Sequence, residues 1–185
     1  MGAVFSDFEI DKLGFKFSGS DSYQSVDCIG SYEEELTAKV ITKKCRGVVR
    51  KKIVKGTGEG TLKISAHIPY DIYTEMYGMN LETLIEGVKG YGQNSVHPTF
   101  SLVAHVKDED GVEKYKAYPN CVIETGKTSK IENGAEEVAE IEIEVSVAPD
   151  DNGQGMYEAL DSEVDDTVAS TWMTAFDSDL VQKAN

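Results

Sequence analysis

The residue types that most often carry catalysis are scattered along this chain. The candidates are His67, His97, His105, Cys28, Cys45 and Cys121. A zinc site needs three or four clustered His, Cys or carboxylate ligands, usually with short local spacings. Neither an HxxxH nor a CxxC spacing occurs. We therefore expect ordinary strand histidines, and reduced thiols in a protein made in the cytoplasm.

Three alternating glycines in the segment KGTGEGT, which starts at Lys55, could be mistaken for a phosphate-binding loop. Such loops lead into a helix, whereas this segment leads into the predicted strand Thr61–Ile68, so we predict a turn. The acidic run Asp108–Asp110 lacks the calcium-loop spacing. The chain also has no GxSxG elbow. We expect no enzyme activity, no cofactor and no metal.

The most regular pattern is the predicted strand Val138–Val147. Its apolar residues alternate with acids, which is the period of two that a strand produces. The acids are Glu140, Glu142 and Glu144. Two interpretations remain open for this stripe. It could be a solvent face paired with Lys114 and Lys116 on a neighbouring strand, or a surface that is negative for a functional reason.

Charge is distributed unevenly along the 185 residues, whose net charge is −15. Residues 39–63 contain nine bases and one acid, whereas residues 132–185 contain fifteen acids and one base. The negative charge argues against general binding to nucleic acid, which requires Lys and Arg. The asymmetry could reflect solvated strand faces, or it could drive head-to-tail self-association.

Short alternating segments bounded by Gly, Asn, Asp and Pro predict a mainly β protein. The predicted strands are 8–10, 13–17, 36–42, 48–54, 61–68, 99–107, 113–118, 121–124 and 138–147. One helix is predicted to follow Pro69 and to end at Gly78, and the segment Asn80–Val88 could form a second. No apolar run approaches the ~20 residues of a membrane span. The expected fold is a β-sandwich or barrel with one flanking α-helix.

The order of these segments resembles the major tail tube proteins of long-tailed, non-contractile bacteriophages of Gram-positive hosts. The strand GEGTLKISAHI runs into the helix segment PYDIYTEMYGM, and PTFSLVAHV follows. An acidic turn with Gly111 then leads to KYKAY, to CVIE and to the alternating strand that ends before PDDNGQGMY. The resemblance covers roughly residues 55–158.

This resemblance implies a tail-tube fold, similar to the tube protein of type VI secretion, in a domain spanning residues 1–160. Copies are expected to join their sheets into hexameric rings, which stack into a tube with a negative lumen that conducts DNA during ejection. The implied partners are other copies, a tape-measure protein, tail terminator and tip proteins, and passing double-stranded DNA without specific binding. The implied location is the virion tail, and no membrane contact is expected.

Within that picture, we expect Glu140, Glu142 and Glu144 to face the lumen. A long basic hairpin or loop around residues 39–60 would reach the adjacent ring. Its basic residues are Lys43, Lys44, Arg46, Arg50, Lys51 and Lys52. The acidic segment 161–185 would form an arm that crosses to another subunit, anchored by Trp172 and Phe176.

Two alternatives to a phage tube remain open. A tube subunit of a type VI-like or tailocin injection machine would share the fold and the ring. An acidic Ig-like binding domain would also be β-rich, although the helix between strands argues against it.

Overall fold

Eight β-strands form most of the regular structure in this computed structural model, which describes residues 4–183. Residues 1–3 and 184–185, which fall within the predicted domain and arm, lie outside the described residues. The strands are β1 (Glu9–Phe17), β2 (Gln24–Val26), β3 (Ile29–Cys45), β4 (Val48–Ala66), β5 (Phe100–Lys107), β6 (Glu113–Ile123), β7 (Ile141–Ala148) and β8 (Tyr157–Leu160). The helices are α1 (Tyr70–Met76) and α2 (Asp166–Ala175), with short 3-10 helices at Asp161–Glu163 and Ser178–Val181.

All strand pairs are antiparallel, in the order β2-β1-β5-β6-β7-β4-β3. Strand β6 changes partner along its length. Its first half, Lys114–Ala117, pairs with β8, and its second half, Asn120–Ile123, pairs with β7. The expectation of a mainly β fold is confirmed.

The main core lies between the inward faces of β1, β4, β5 and β7. Phe15, Leu62, Leu102 and Val145 are each fully buried there. The alternation predicted for β7 is confirmed, because Ile143, Val145 and Val147 point into this core. Burying such side chains contributes about 1.5–3 kcal/mol each, so this core is what fixes the positions of the surface residues on the opposite strand faces.

Helix α1 closes one side of the core, as the sequence predicted. Pro69 precedes it, and the Gly78 amide donates to the Glu75 carbonyl where the helix ends. Its buried residues Ile72 and Met76 face the sheet. The suggested second helix at Asn80–Val88 is wrong: this segment forms separate turns, and Gly87 adopts a left-handed φ of 83° that interrupts helical geometry.

The predicted turn at the glycine-rich segment is also wrong. Strand β4 continues through it without a break, so the separately predicted strands 48–54 and 61–68 are one element. Gly58 has a φ of 78°, and a Cβ there would lie 2.9 Å from Pro149 and 3.1 Å from the Gly153 carbonyl oxygen. The glycine therefore permits an irregular strand to pass close to the β7–β8 loop.

Candidate assembly surfaces

An acidic surface lies on the outward face of four adjacent strands. In register, Lys63 of β4 lies between Glu33 of β3 and Glu144 of β7. Glu35 lies two residues from Glu33, and Glu142 lies two residues from Glu144, so both share this face. Glu124 directly follows β6 and lies opposite Glu144. We call Glu33, Glu35, Glu124, Glu142 and Glu144 the acidic face. Its five carboxylates surround the single ammonium of Lys63, so its field is negative.

Glu140 occupies a more constrained position than Glu142 and Glu144. It directly precedes β7, and Ser65 Oγ donates to its carboxylate at 2.5 Å. The carboxylate lies over the backbone of Gly30, where a Cβ would approach an oxygen to 2.1 Å. The absence of a side chain at Gly30 leaves room for this carboxylate. The predicted lumen acids therefore lie along one face of the β7 segment, but Glu140 is held by a hydrogen bond.

Lys114 and Lys116 are not the partners of the acidic stripe, contrary to one of the two interpretations. Lys114 Nζ lies 2.6 Å from an oxygen of Asp7. Lys116 is 5% exposed and lies 3.5 Å from both Asp7 and Glu34. Burial alone would raise the pKa of Asp7, but Lys114 and Lys116 outweigh it and lower that pKa. These lysines neutralise a separate network beside the N-terminal segment.

Two tyrosine hydroxyl groups extend that network to the carboxylate of Glu34. The Tyr32 hydroxyl donates to Tyr118, whose hydroxyl donates to the carboxylate of Glu34. Burial, followed by neighbouring groups, raises the pKa of Tyr118, which keeps it a neutral donor. The network links β3 to β6 through polar contacts and therefore fixes the position of the outer strand β3.

Strands β3 and β4 continue past the body of the protein as a long hairpin. Eight residues separate Ala38, paired with Gly56, from Arg46 at the turn. At about 3.3 Å per residue this projects roughly 25 Å. Arg46 and Gly47 have φ values of 51° and 78°, the left-handed pair that a tight hairpin turn requires. Every residue from Leu36 to Lys55 is exposed.

The structure places all six predicted basic residues in this projection. Lys43 and Lys44 lie on β3, Arg46 lies in the turn, and Arg50, Lys51 and Lys52 lie on β4. Lys43 is directly opposite Lys51, and Lys39 is opposite Lys55. Like charges facing each other across a hairpin destabilise it, and an isolated two-stranded hairpin is marginal in water. A contact that covers this hairpin would therefore stabilise it.

Trp172 and Phe176 anchor the C-terminal segment to its own sheet. Each is 1% exposed, and together they cover Val103, Tyr115 and Ala117. Helix α2, which the sequence analysis did not predict, places the two aromatic side chains four residues apart on one face. Both anchors are already buried within one chain. The crossing of this segment to another subunit stays a prediction.

The outer edge of β3 carries no partner strand within residues 4–183. Over Ile29–Leu36 this strand pairs only with β4. The unpaired edge lies beside the acidic face, since Glu33 and Glu35 belong to the same segment. Exposed edges of this kind are ready templates for pairing with another chain.

Three of the potential catalytic groups, His97, His105 and Cys121, serve structural contacts, whereas His67, Cys28 and Cys45 are exposed. His97 Nδ1 donates to the Ile123 carbonyl at 2.8 Å, and His105 Nδ1 lies 2.7 Å from Asp11. Burial raises the pKa of the Cys121 thiol, which disfavours the nucleophilic thiolate.

Across residues 4–183, no three His, Cys, Asp or Glu side chains gather in a metal-binding arrangement. No described helix is both long and apolar enough to cross a membrane.

Sequence reasoning identified Glu142 and Glu144 but missed Glu33, Glu35 and Glu124. The period-two signal in Tyr32–Glu35 was weak, because Glu34 also stands at an inward position. Glu34 points inward because it accepts from Tyr118 and pairs with Lys116. Only the strand register reveals that the remaining acids join the β7 stripe.

Comparison with known proteins finds likeness in structure alone. No protein-family model matches the chain, and no curated protein matches its sequence. One solved chain with a similar fold comes from the anti-feeding prophage cap, described as its tube terminating cap. It has a TM-score of 0.52 and 10% identity, with 86% of this chain and 95% of that chain covered.

A second similar chain comes from the six-fold symmetrised baseplate of the anti-feeding prophage. Its TM-score is 0.50 at 10% identity, covering 86% of this chain and 97% of that chain. At this identity the likeness concerns the fold. The chain thus has a fold that also occurs in the cap and the baseplate of the anti-feeding prophage.

Proposed function

We propose that this protein is a structural, non-enzymatic subunit of a phage tail tube. Copies would close into hexameric rings, and stacked rings would enclose a negative lumen that conducts double-stranded DNA during ejection. The protein would be made in the host cytoplasm and would reside in the virion tail. Its partners would be other copies, a tape-measure protein, and the terminator and tip proteins.

The observation that carries this proposal is the acidic face. Five carboxylates and one lysine occupy the outward side of β3, β4, β7 and the end of β6. A wall with this charge repels phosphates, so a moving duplex would not adsorb to it. A binding groove for DNA would need the opposite charge.

The unpaired β3 edge supports ring closure. A subunit that pairs this edge with a different edge of its neighbour makes a heterologous contact, and such contacts give a ring when the rotation between neighbours closes. The acidic faces of successive subunits would then form one continuous inner wall. The Tyr32–Tyr118 contact and the Lys116–Glu34 pair support this assignment, because they hold β3 rigidly in place.

Cysteine protection tests the orientation of the wall. In a background with Cys28→Ser and Cys45→Ser, we expect Glu144→Cys to react rapidly with a bulky maleimide in subunits and slowly in assembled tubes. Ser170→Cys, on the exposed side of α2, should react equally in both. Equal reaction of Glu144→Cys before and after assembly would overturn the lumen assignment.

A second candidate function is suggested by the origin of the two similar folds. Both come from the anti-feeding prophage, one from its cap and one from its baseplate. This favours a subunit of a type VI-like or tailocin injection machine. The length of the assemblies distinguishes a cap subunit from a tube subunit. A cap should stop at one closed ring, whereas a tube subunit should continue to add rings.

A further inference from the structure

One face of the projecting hairpin combines lysines with a central apolar pair. Ile41 and Ile53 face each other, at 45% and 37% exposure. The cross-strand pairs on either side, Lys39 with Lys55 and Lys43 with Lys51, alternate onto the same face. We call Lys39, Ile41, Lys43, Lys51, Ile53 and Lys55 the lysine face. Its four ammonium groups repel one another unless acids lie against them.

A cleft of about 940 Å³ lies at the other end of β4. Ser65 of β4 and Glu142 of β7 line the cleft. The hairpin part of β4 lies in the other direction along the strand, beyond the Gly60–Val147 pair. Because β4 is one continuous strand, the hairpin and the cleft stand at opposite ends of its length. A projection at one end and a recess at the other suit head-to-tail contact between copies.

The charge of the cleft complements the lysine face. Its carboxylates are Glu132, Glu137, Glu140 and Glu142, and its bases are Lys127 and Lys130. The four carboxylates outnumber the two ammonium groups, of which Lys127 Nζ lies 5.6 Å from the centre of the Tyr73 ring and keeps its charge. The uncompensated charge is therefore negative, opposite to that of the hairpin.

The cleft also offers apolar surface at its rim. Val138 is 82% exposed and Tyr70 is 63% exposed, and both line the cleft. Exposed apolar surface rimmed by polar residues is typical of contact sites. They would cover the Ile41–Ile53 pair, while the surrounding acids meet the surrounding lysines.

We propose that the hairpin of one copy docks by its lysine face in this cleft of the next copy. This inference rests on the proposed tube function and adds the site at which successive rings connect. The partner is a second copy of this chain, because the chain itself supplies both complementary surfaces. The contact is charge-dependent, so stacking should weaken as salt rises.

Charge exchange between the two surfaces tests this docking. We expect Lys43→Glu with Lys51→Glu to abolish tubes in electron micrographs while rings remain. Glu132→Lys with Glu137→Lys should do the same. Combining all four substitutions in one chain should restore tubes, because the attraction is then reversed rather than lost.

Two controls make the result specific. Thr42→Glu with Val54→Glu changes the opposite face of the same hairpin, and Glu109→Lys with Glu163→Lys changes exposed acids outside the cleft. Both should leave tubes intact. Unchanged far-UV circular dichroism would show that each variant is folded.

The outcomes separate the two levels of the proposal. A wild-type protein that forms neither rings nor tubes contradicts the tube function itself. Wild-type tubes that persist in both charge-reversal variants contradict the docking alone. Failure of the four-substitution variant to regain tubes, with each pair blocking them, also contradicts this pairing of surfaces.

Discussion

The indole nitrogen of Trp172 donates a hydrogen bond to the backbone carbonyl of Lys116 at 3.1 Å. The same lysine's ammonium group pairs with Asp7 and Glu34. Lys116 thus connects the C-terminal helix, through its carbonyl, to the polar network beneath β3. This relationship joins two parts of the chain that are 56 residues apart.

Replacing Trp172 should therefore destabilise the fold. We expect Trp172→Ala to lower the free energy of unfolding by about 3–5 kcal/mol, because it removes a buried aromatic and leaves a cavity. Urea denaturation followed by circular dichroism measures this, with the exposed Ser170→Ala as the matched helix control. An unchanged unfolding midpoint in Trp172→Ala would show that the C-terminal segment does not stabilise the body of the protein.

Reversing charge on the acidic face should create DNA affinity. We expect Glu142→Lys with Glu144→Lys to bind double-stranded DNA measurably in low salt, whereas the wild type does not. The added ammonium groups can neutralise phosphates, and this binding should weaken steeply as salt rises. Fluorescence anisotropy with labelled duplex gives the readout. Glu109→Lys with Glu163→Lys supplies the same change of net charge elsewhere, and equal binding by that control would remove the special role of the face.

Acid should weaken the contact between Asp11 and β5. Burial alone would raise the pKa of Asp11, but Lys107 and His105 outweigh it, so the pKa lies below the ordinary 3.8. A lowered folded-state pKa contributes stability above about pH 4 and loses it as pH falls through the lowered value. Asp11→Asn should be less stable at neutral pH and should lose less on acidification. Urea midpoints between pH 7 and 2.5 test this, and a parallel decline in both proteins would contradict it.

Alkali should expose a set of tyrosines that resist ionisation. Burial, then hydrogen bonding to Asp161, raises the pKa of Tyr115 to about 12, and burial raises those of Tyr23 and Tyr77 to about 12. Their contribution to stability is complete below pH 10 and is lost as pH rises towards 12. Absorbance at 295 nm should therefore show a late phase that coincides with unfolding. Complete titration of all tyrosines near pH 10 in a folded protein would contradict these environments.

The sequence predicted local patterns and missed long-range contacts. The strand β7 could be predicted because Ile143 and Val145 follow the period of a strand, whatever the tertiary contacts are. Helix α2 was missed because its Thr and Ser residues have low helix propensity, although the spacing of Val168, Trp172 and Phe176 carried a signal.

The acidic face could be predicted only in part for the same reason. Glu142 and Glu144 lie within one regular strand, whereas Glu33 joins them through the register of β3 with β4. One of the two interpretations paired Lys114 and Lys116 with the wrong acids, because Asp7 is more than a hundred residues away in the chain. Pairing at such separation depends on tertiary structure.

Electron microscopy of the purified protein tests the central claim most directly. Negative-stain images across protein concentration and salt, followed by class averaging, give the symmetry and the width of any lumen. Our account predicts six-fold rings that stack into hollow tubes at high concentration and low salt. Monomers without ring structure at every concentration, also in the presence of a tape-measure protein, would contradict it.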